Sequence, residues 1–201
     1  MNPALILASE SQYKKNILER LEIVFSTEAP AIDETPRPGE SARALSSRLA
    51  QHKAEKIAAQ YPEAIVISTD QSAELDGVIL GKPITIENAR SMLQKLSGES
   101  VSFFTSVGVI APNQPCLIHT EEVFVTLREL DDQEIERYLG KDKPLNCAGS
   151  FKVESLGISL FTSVKSEDPT ALEGLPLIRL CQWLRDHGFC LLYTSPSPRD
   201  S

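Results

Sequence analysis

One stretch sets an acid, an amide and a base close together: Ile65 to Pro83, IVISTDQSAELDGVILGKP. Its β-branched start, Ile65-Val66-Ile67, suits a buried strand, and Asp70-Gln71 follow where that strand is expected to end. A carboxylate at the carboxyl edge of a strand is where open α/β sheets place ligand chemistry. A hairpin is expected at Asp76-Gly77, since both residues tolerate the left-handed conformation of a tight turn. Gly81-Lys82-Pro83 then holds a lysine between a residue that frees the backbone and one that restricts it. Asp70 and Lys82 are an acid and a cation able to face one pocket.

A second cluster lies between the short apolar run Ala4–Ala8 and a helical pattern through Ile17, Leu18 and Leu21. The intervening turn carries Ser9, Ser11, Tyr13, Lys14 and Lys15. A first helical turn offers unpaired N–H groups and the positive end of the helix dipole, so hydroxyls and lysines there could hold phosphates. The same serines could equally cap the helix while the lysines face water. Asp33 and Glu34, in a proline-flanked loop, have the oxygen donors a hard divalent cation prefers, although adjacent acids usually stay solvated. Lys53 could point inward beside an apolar helix face, although a surface lysine is the commoner outcome; taken alone, Gln71 reads as a loop amide, His119 as a strand-surface histidine, and Glu154 as either a rim charge or a polar recognition group.

These residues need a scaffold, and the chain is long enough to supply one. At 201 residues it can bury a large core without disulfides. A net charge of −8 argues against binding to nucleic-acid polymers or anionic membranes, both of which need basic surfaces. The four cysteines lack metal-ligand or CxxC spacing and read as reduced, mostly buried thiols. Neither a signal peptide nor an 18-residue apolar span is visible, so a cytoplasmic protein is expected.

The pattern predicts strands at Ala4–Ala8, Glu22–Ala31, Ile65 onward, Ser100–Ile110, Cys116–Leu127 and Ile158–Phe161. Helices are expected at Ser41–Tyr61, Ile86–Leu96 capped by Thr85, Asp131–Leu139 and Leu177–Arg185. The fold class is therefore α/β, with one domain over residues 1–189. Residues 190–201 read as a disordered or non-native tail, rich in serine and proline.

Taken in order, LILASESQYKK, AIDETPRPGE, RLAQHKAEKIA, STDQ, GKP, AGSFKVE and GLPL resemble the Maf family of nucleoside triphosphate pyrophosphatases, from about Ala4 to His187. The chain is most similar to the family's 7-methyl-GTP branch. The resemblance implies an elongated α/β fold of the Maf and inosine-triphosphatase type, with a mixed sheet flanked by helices and a cleft between two lobes. It implies hydrolysis of a nucleoside triphosphate between the α and β phosphates, with Asp70 as proton acceptor. Glu34 and Asp70 would hold a divalent metal cation, Mg or Mn. Ser9, Ser11, Lys14, Lys15, Lys53 and Lys82 fall on phosphate-contacting positions.

Tyr13, Gln71 and Glu154 fall on positions that select the base. An electron-rich ring favours cationic 7-methylguanine, and a carboxylate accepts from guanine's N1–H and amine. The family's usual Ser-x-Ser-Pro-x-Arg-Arg is altered here to Gln12 and Lys14-Lys15, which keeps charge but loses the guanidinium fork. A homodimer is compatible with this resemblance. The alternatives are a pyrophosphatase for dTTP, UTP or other modified nucleotides, and a low-turnover nucleotide-binding regulator of cell division.

Overall fold

The computed structural model describes residues 3–189 and 191–192. Its frame is a seven-stranded mixed sheet: β1 (Leu5–Ala8), β2 (Ser26–Glu28), β3 (Ile65–Leu75), β4 (Val78–Leu80), β5 (Ser100–Ile110), β6 (Leu117–Leu127) and β7 (Phe161–Lys165). The order across it is β2-β1-β3-β5-β6-β7, with β4 also on β3. β1 pairs parallel to both β2 and β3, while β3, β5, β6 and β7 run antiparallel in turn. The expected helices form as α1 (Gln12–Glu19), α2 (Ala42–Ala58), α3 (Ile86–Leu96), α4 (Asp132–Asp142) and α5 (Leu177–Asp186).

β3 organises the rest because its two ends meet different partners along the same edge. β1 covers Leu5↔Ile65 to Ala8↔Ser68, and β4 resumes the edge at Ala73↔Leu80. Between them Thr69–Ser72 has no strand neighbour on that side. The sheet therefore has a notch, and β3 runs straight through it.

Side chains alternate across a strand, so the two faces of β3 and β5 carry separate sets. On one face Ile65, Ile67, Val107 and Val109 pack with α1 and α5 at one end. Ala73, Val101 and Phe103 pack with α3 and α4 at the other. Thr69, Gln71 and Thr105 lie between these two cores, which are the interiors of the two lobes. On the opposite face α2 packs across the sheet. Ile57 meets Val66 there, Ser68 Oγ donates to Ala50 O at 2.6 Å, and Ser46 and Ser106 share a hydroxyl contact at 2.9 Å. Gly108 permits this approach, because a Cβ there would stand 2.6 Å from Ser68 Oγ.

Several expectations change. β3 does not end before Asp70 but continues to Leu75, so Asp70 and Gln71 are strand residues in the notch. The second strand is Ser26–Glu28 rather than Glu22–Ala31, because Glu22 and Ala31 both take positive φ and leave the ladder. The late strand is Phe161–Lys165, preceded by a 3-10 helix over Leu156–Leu160. The Asp76-Gly77 turn forms as expected, with φ of 51° and 76°. In α5, Leu177, Leu180 and Leu184 are buried, whereas Ile178 is 60% exposed. Cys116, Cys147 and Cys181 are free and only half-buried, while Cys190 lies outside the described residues. The expected tail also falls outside them except at Leu191 and Leu192, and Leu191 packs against the core beside α5. No helix among the described residues is long and apolar enough to cross a membrane.

Candidate active site

A cleft of about 960 Å³ opens at the notch. It gathers Ser9, Ser11, Tyr13, Lys14, Glu34, Lys53, Asp70, Gln71, Lys82 and Glu154. Lys15 is not among its lining residues. One position along the helix turns its side chain away, and it pairs instead with Glu19 at 3.8 Å.

The α2 side of the cleft is built on Lys53, which is 6% exposed and not on the surface. Its Nζ lies 2.7 Å from Asp70 Oδ1 and 2.6 Å from Glu34 Oε1, so one ammonium joins β3, α2 and the Glu34 loop. Desolvation opposes the charge on Lys53, but Asp70 and Glu34 outweigh it and hold its pKa above the ordinary lysine value. Desolvation likewise works against ionised Glu34, and the Lys53 contact reverses it, leaving that carboxyl below its usual range. The loop itself is anchored by Arg48 of α2, which bonds Glu40 at 2.6 and 2.7 Å and Thr35 O at 3.2 Å.

Facing this pair is the start of α1. Ser11 is its N-cap, yet its side chain makes no capping bond, and the first turn contains no acidic residue. Ser9 Oγ accepts from Ser11 N at 3.1 Å, which holds the turn tight against the end of β1. Lys14 Nζ donates to Thr69 O at 2.8 Å, a backbone acceptor that the notch leaves without a strand partner. Desolvation brings Lys14 down to about 8, although Asp70 pulls the other way.

The remaining wall comes from the other lobe. Glu154 is carried on a loop whose Lys152 Nζ donates to Asp142 O at 2.7 Å and whose Ser155 Oγ bonds the Asp142 carboxylate at 2.6 Å. Tyr138 Oη accepts from Lys152 N at 3.0 Å. The loop closes over Gly157, where a Cβ would meet Lys152 O at 2.3 Å, so a side chain there would force the Glu154 segment to move. Cys147 also lines this wall as an inert thiol, since burial pushes its pKa up to about 11.

Gln71 is not a loop amide. It sits in β3 with Nε2 against Thr105 Oγ1, Ala171 O and Leu172 O at 3.0, 3.1 and 3.1 Å. Those carbonyls belong to a 3-10 turn, Pro169–Glu173, whose Leu172 and Glu173 line the cleft. Thr69 Oγ1 secures the same segment through Gly174 O at 2.7 Å. The sequence offered no signal for this turn or for Glu10 and Asn146, which also line the cleft. His119 remains outside it, 3.3 Å from Glu121.

Among the described residues no group of three His, Cys, Asp or Glu side chains converges as a closed metal cage. Glu34 and Asp70 nevertheless meet at one cation, the Lys53 ammonium, and this marks the point as favourable to positive charge. Two carboxylates with further oxygens from a phosphate chain are a donor set that suits a hard divalent cation.

The chain is similar to several known proteins. One relative from Xanthomonas axonopodis pv. citri, named 7-methyl-GTP pyrophosphatase, is 52% identical over 188 residues, covering 93% of this chain and 98% of its own. Another of that name from Xanthomonas campestris pv. campestris is 50% identical over 191 residues, covering 95% and 100%. The solved structure of a HAM1 protein from Coxiella burnetii superposes with a TM-score of 0.52 at 17% identity, over 92% of this chain and 99% of that one, a likeness of fold. The family model described as Maf-like protein matches residues 4–187, and the chain belongs to the Maf family.

Proposed function

We propose that the cleft hydrolyses a nucleoside triphosphate between its α and β phosphates, releasing a nucleoside monophosphate and pyrophosphate, with 7-methyl-GTP as favoured substrate. The observation that carries this reading is the notch. It brings a carboxylate oriented by a buried lysine, an uncommitted helix N-terminus and three lysines into one space. The names of the two Xanthomonas relatives support the substrate.

In this reading Asp70 accepts the proton of a water that attacks the α phosphorus, at the α–β bridge. The bond to the bridging oxygen breaks, and pyrophosphate leaves with the electron pair. Lys53, 2.7 Å from Asp70, keeps its carboxylate aimed. Lys14, Lys82, Ser9, Ser11 and the first N–H groups of α1 bind the phosphate chain. Glu34 and Asp70 would hold a divalent cation, which when bound neutralises charge developing on the phosphate oxygens. Lys15, which faces away, contributes only to the general field.

Tyr13, 43% exposed at the cleft rim, stacks on the base, and a cationic 7-methylguanine gains about 0.5–2 kcal/mol over a neutral one. Pyrophosphate release from 7-methyl-GTP, GTP, dTTP and UTP, with Mg or Mn and with chelator, tests the whole reading. 7-Methyl-GTP should be preferred and chelator should stop release. Tyr13→Ala should narrow the preference for 7-methyl-GTP over GTP by roughly two- to thirtyfold. A preference for dTTP or UTP removes the substrate assignment, and no release from any nucleotide removes the reaction.

A pH profile follows from Lys14. Its ammonium is charged below about 8 and neutral above, and only the charged form attracts the polyanion. kcat/KM should therefore decline as pH rises through that region. In Lys14→Arg, whose guanidinium stays charged, this limb should disappear; a profile unchanged by the substitution would detach it from Lys14.

A further inference from the structure

Ile84 is held in a conformation that its own side chain opposes. Its φ is 66°, and Thr85 N donates to Pro83 O at 2.7 Å, so residues 83–85 form a γ-turn of the strained hand. A β-branched residue is a poor occupant of positive φ, whereas glycine or asparagine closes such a turn at lower cost. The surroundings leave the turn no freedom to relax. Ile84 N donates to Leu145 O at 3.0 Å, Asn88 Nδ2 donates to Pro83 O at 2.9 Å, and Pro83 is buried. The core gains little from the Ile84 side chain, which is 63% exposed and lines the cleft. Among the described residues of that lining, only Tyr13 and Ile84 are large apolar side chains left exposed.

We propose that Ile84 is a substrate-binding residue, held under strain in the cleft so that its aliphatic side chain covers the ribose of the nucleotide. This deepens the reading of the cleft as a nucleotide site and rests on it. The position follows from its neighbours. Lys82, two residues earlier, binds the phosphate chain in that reading. Leu145, bonded to the Ile84 backbone, leads directly into Asn146, Cys147 and the wall that carries Glu154. Ile84 thus stands between the phosphate and base ends of the cleft, where a nucleotide has its ribose. The carbon edge of the sugar and a branched aliphatic chain both lose water-exposed apolar area when they meet. The strain destabilises the free protein, and the contact it permits exists only with ligand bound.

Ile84→Asn tests both halves of the claim, because asparagine accepts positive φ and lacks the branched apolar surface. Binding of a non-hydrolysable 7-methyl-GTP analogue and of inorganic tripolyphosphate, which has no ribose, is measured by calorimetry beside the melting temperature. The variant should melt about 2–4 °C above wild type. It should bind the analogue about fivefold more weakly, and tripolyphosphate within about twofold of wild type. In turnover the loss should appear in KM, with kcat within about threefold.

Equal weakening of both ligands would mean that the turn only aims Lys82, and an unchanged affinity for the analogue would mean that the side chain touches nothing; either overturns the proposal. So does a lower Tm, which makes Ile84 a residue of the fold. Should Ile84→Asn fail to fold, Ile84→Gly carries the same comparison of ligands, since glycine takes this backbone freely. If wild type binds neither ligand, the proposed function fails and this inference with it. If wild type binds both and the variant binds them equally well, only the inference fails.

Discussion

Asp70→Asn should lower kcat for pyrophosphate release roughly 10³-fold while leaving the folded protein and its nucleotide binding largely intact. The substitution keeps the shape of the side chain and an oxygen for the Lys53 contact at 2.7 Å, so the sheet and α2 need not move. What it removes is the charge that takes the proton from water and one of two carboxylates able to hold a cation. Lys53 retains Glu34 at 2.6 Å and is not left without a counter-ion. Binding of a non-hydrolysable triphosphate, followed by calorimetry, should weaken far less than turnover. A variant that keeps more than about a tenth of wild-type kcat would place the base elsewhere. Glu34→Gln should be milder, since Glu34 is half-exposed and water can replace part of its role.

The contrast between Asp70 and Gln71 explains what the sequence could disclose. The two are neighbours in the chain but point to opposite faces of β3. Asp70 therefore joins Lys53 and Glu34 under α2, and Gln71 joins the 169–173 turn between the two cores. The local run shows that a strand is present, but it does not show that the strand continues through a gap between β1 and β4. That gap depends on where two other strands stop, and no residue near Asp70 encodes it. The helices were legible because their caps are local: Thr85 accepts from Asn88 N, and Asp131 and Glu134 form a reciprocal capping box.

For Lys53 the local pattern favoured the surface for the opposite reason. Lysines beside an apolar helix face are usually solvated, and only the distant Asp70 and Glu34 make burial tolerable. Gln71 looked like a loop amide because its partners lie 34, 100 and 101 residues away. Glu121 is similar. It shares one face of β6 with the buried Val123 and Val125, and it accepts from the backbone N–H groups of Glu167 and Asp168 at 3.0 and 3.1 Å. Asp168 in turn accepts from Thr170 N and Ile178 N, so the turn that Gln71 touches is fastened from both ends. Family resemblance placed most of the site residues in one cleft, apart from Lys15. It could not say which of them face substrate and which hold the wall.

Lys53→Met should be the change most damaging to stability, and it should lower turnover as well. Methionine fills much of the same volume but leaves Asp70, 6% exposed, without its counter-ion. Removing one member of a buried pair costs about 3–5 kcal/mol, because the surviving charge stays desolvated. Glu34 adds little to that figure, being half-exposed and free to turn towards water. For a chain of this length the loss corresponds to a fall in Tm of about 6–20 °C.

Turnover should fall at least 100-fold, since Asp70 would no longer be held at the notch. The double variant Lys53→Met, Asp70→Asn separates the two effects. With the charge gone there is nothing left to neutralise, so it should recover most of the lost stability and none of the activity. If the single variant melts with wild type, or the double variant melts no higher than the single one, the ammonium is not what makes a buried carboxylate tolerable in this sheet. If stability follows the expected pattern, the lysine that looked like a surface residue is the group that lets the sheet carry a charged base in its interior.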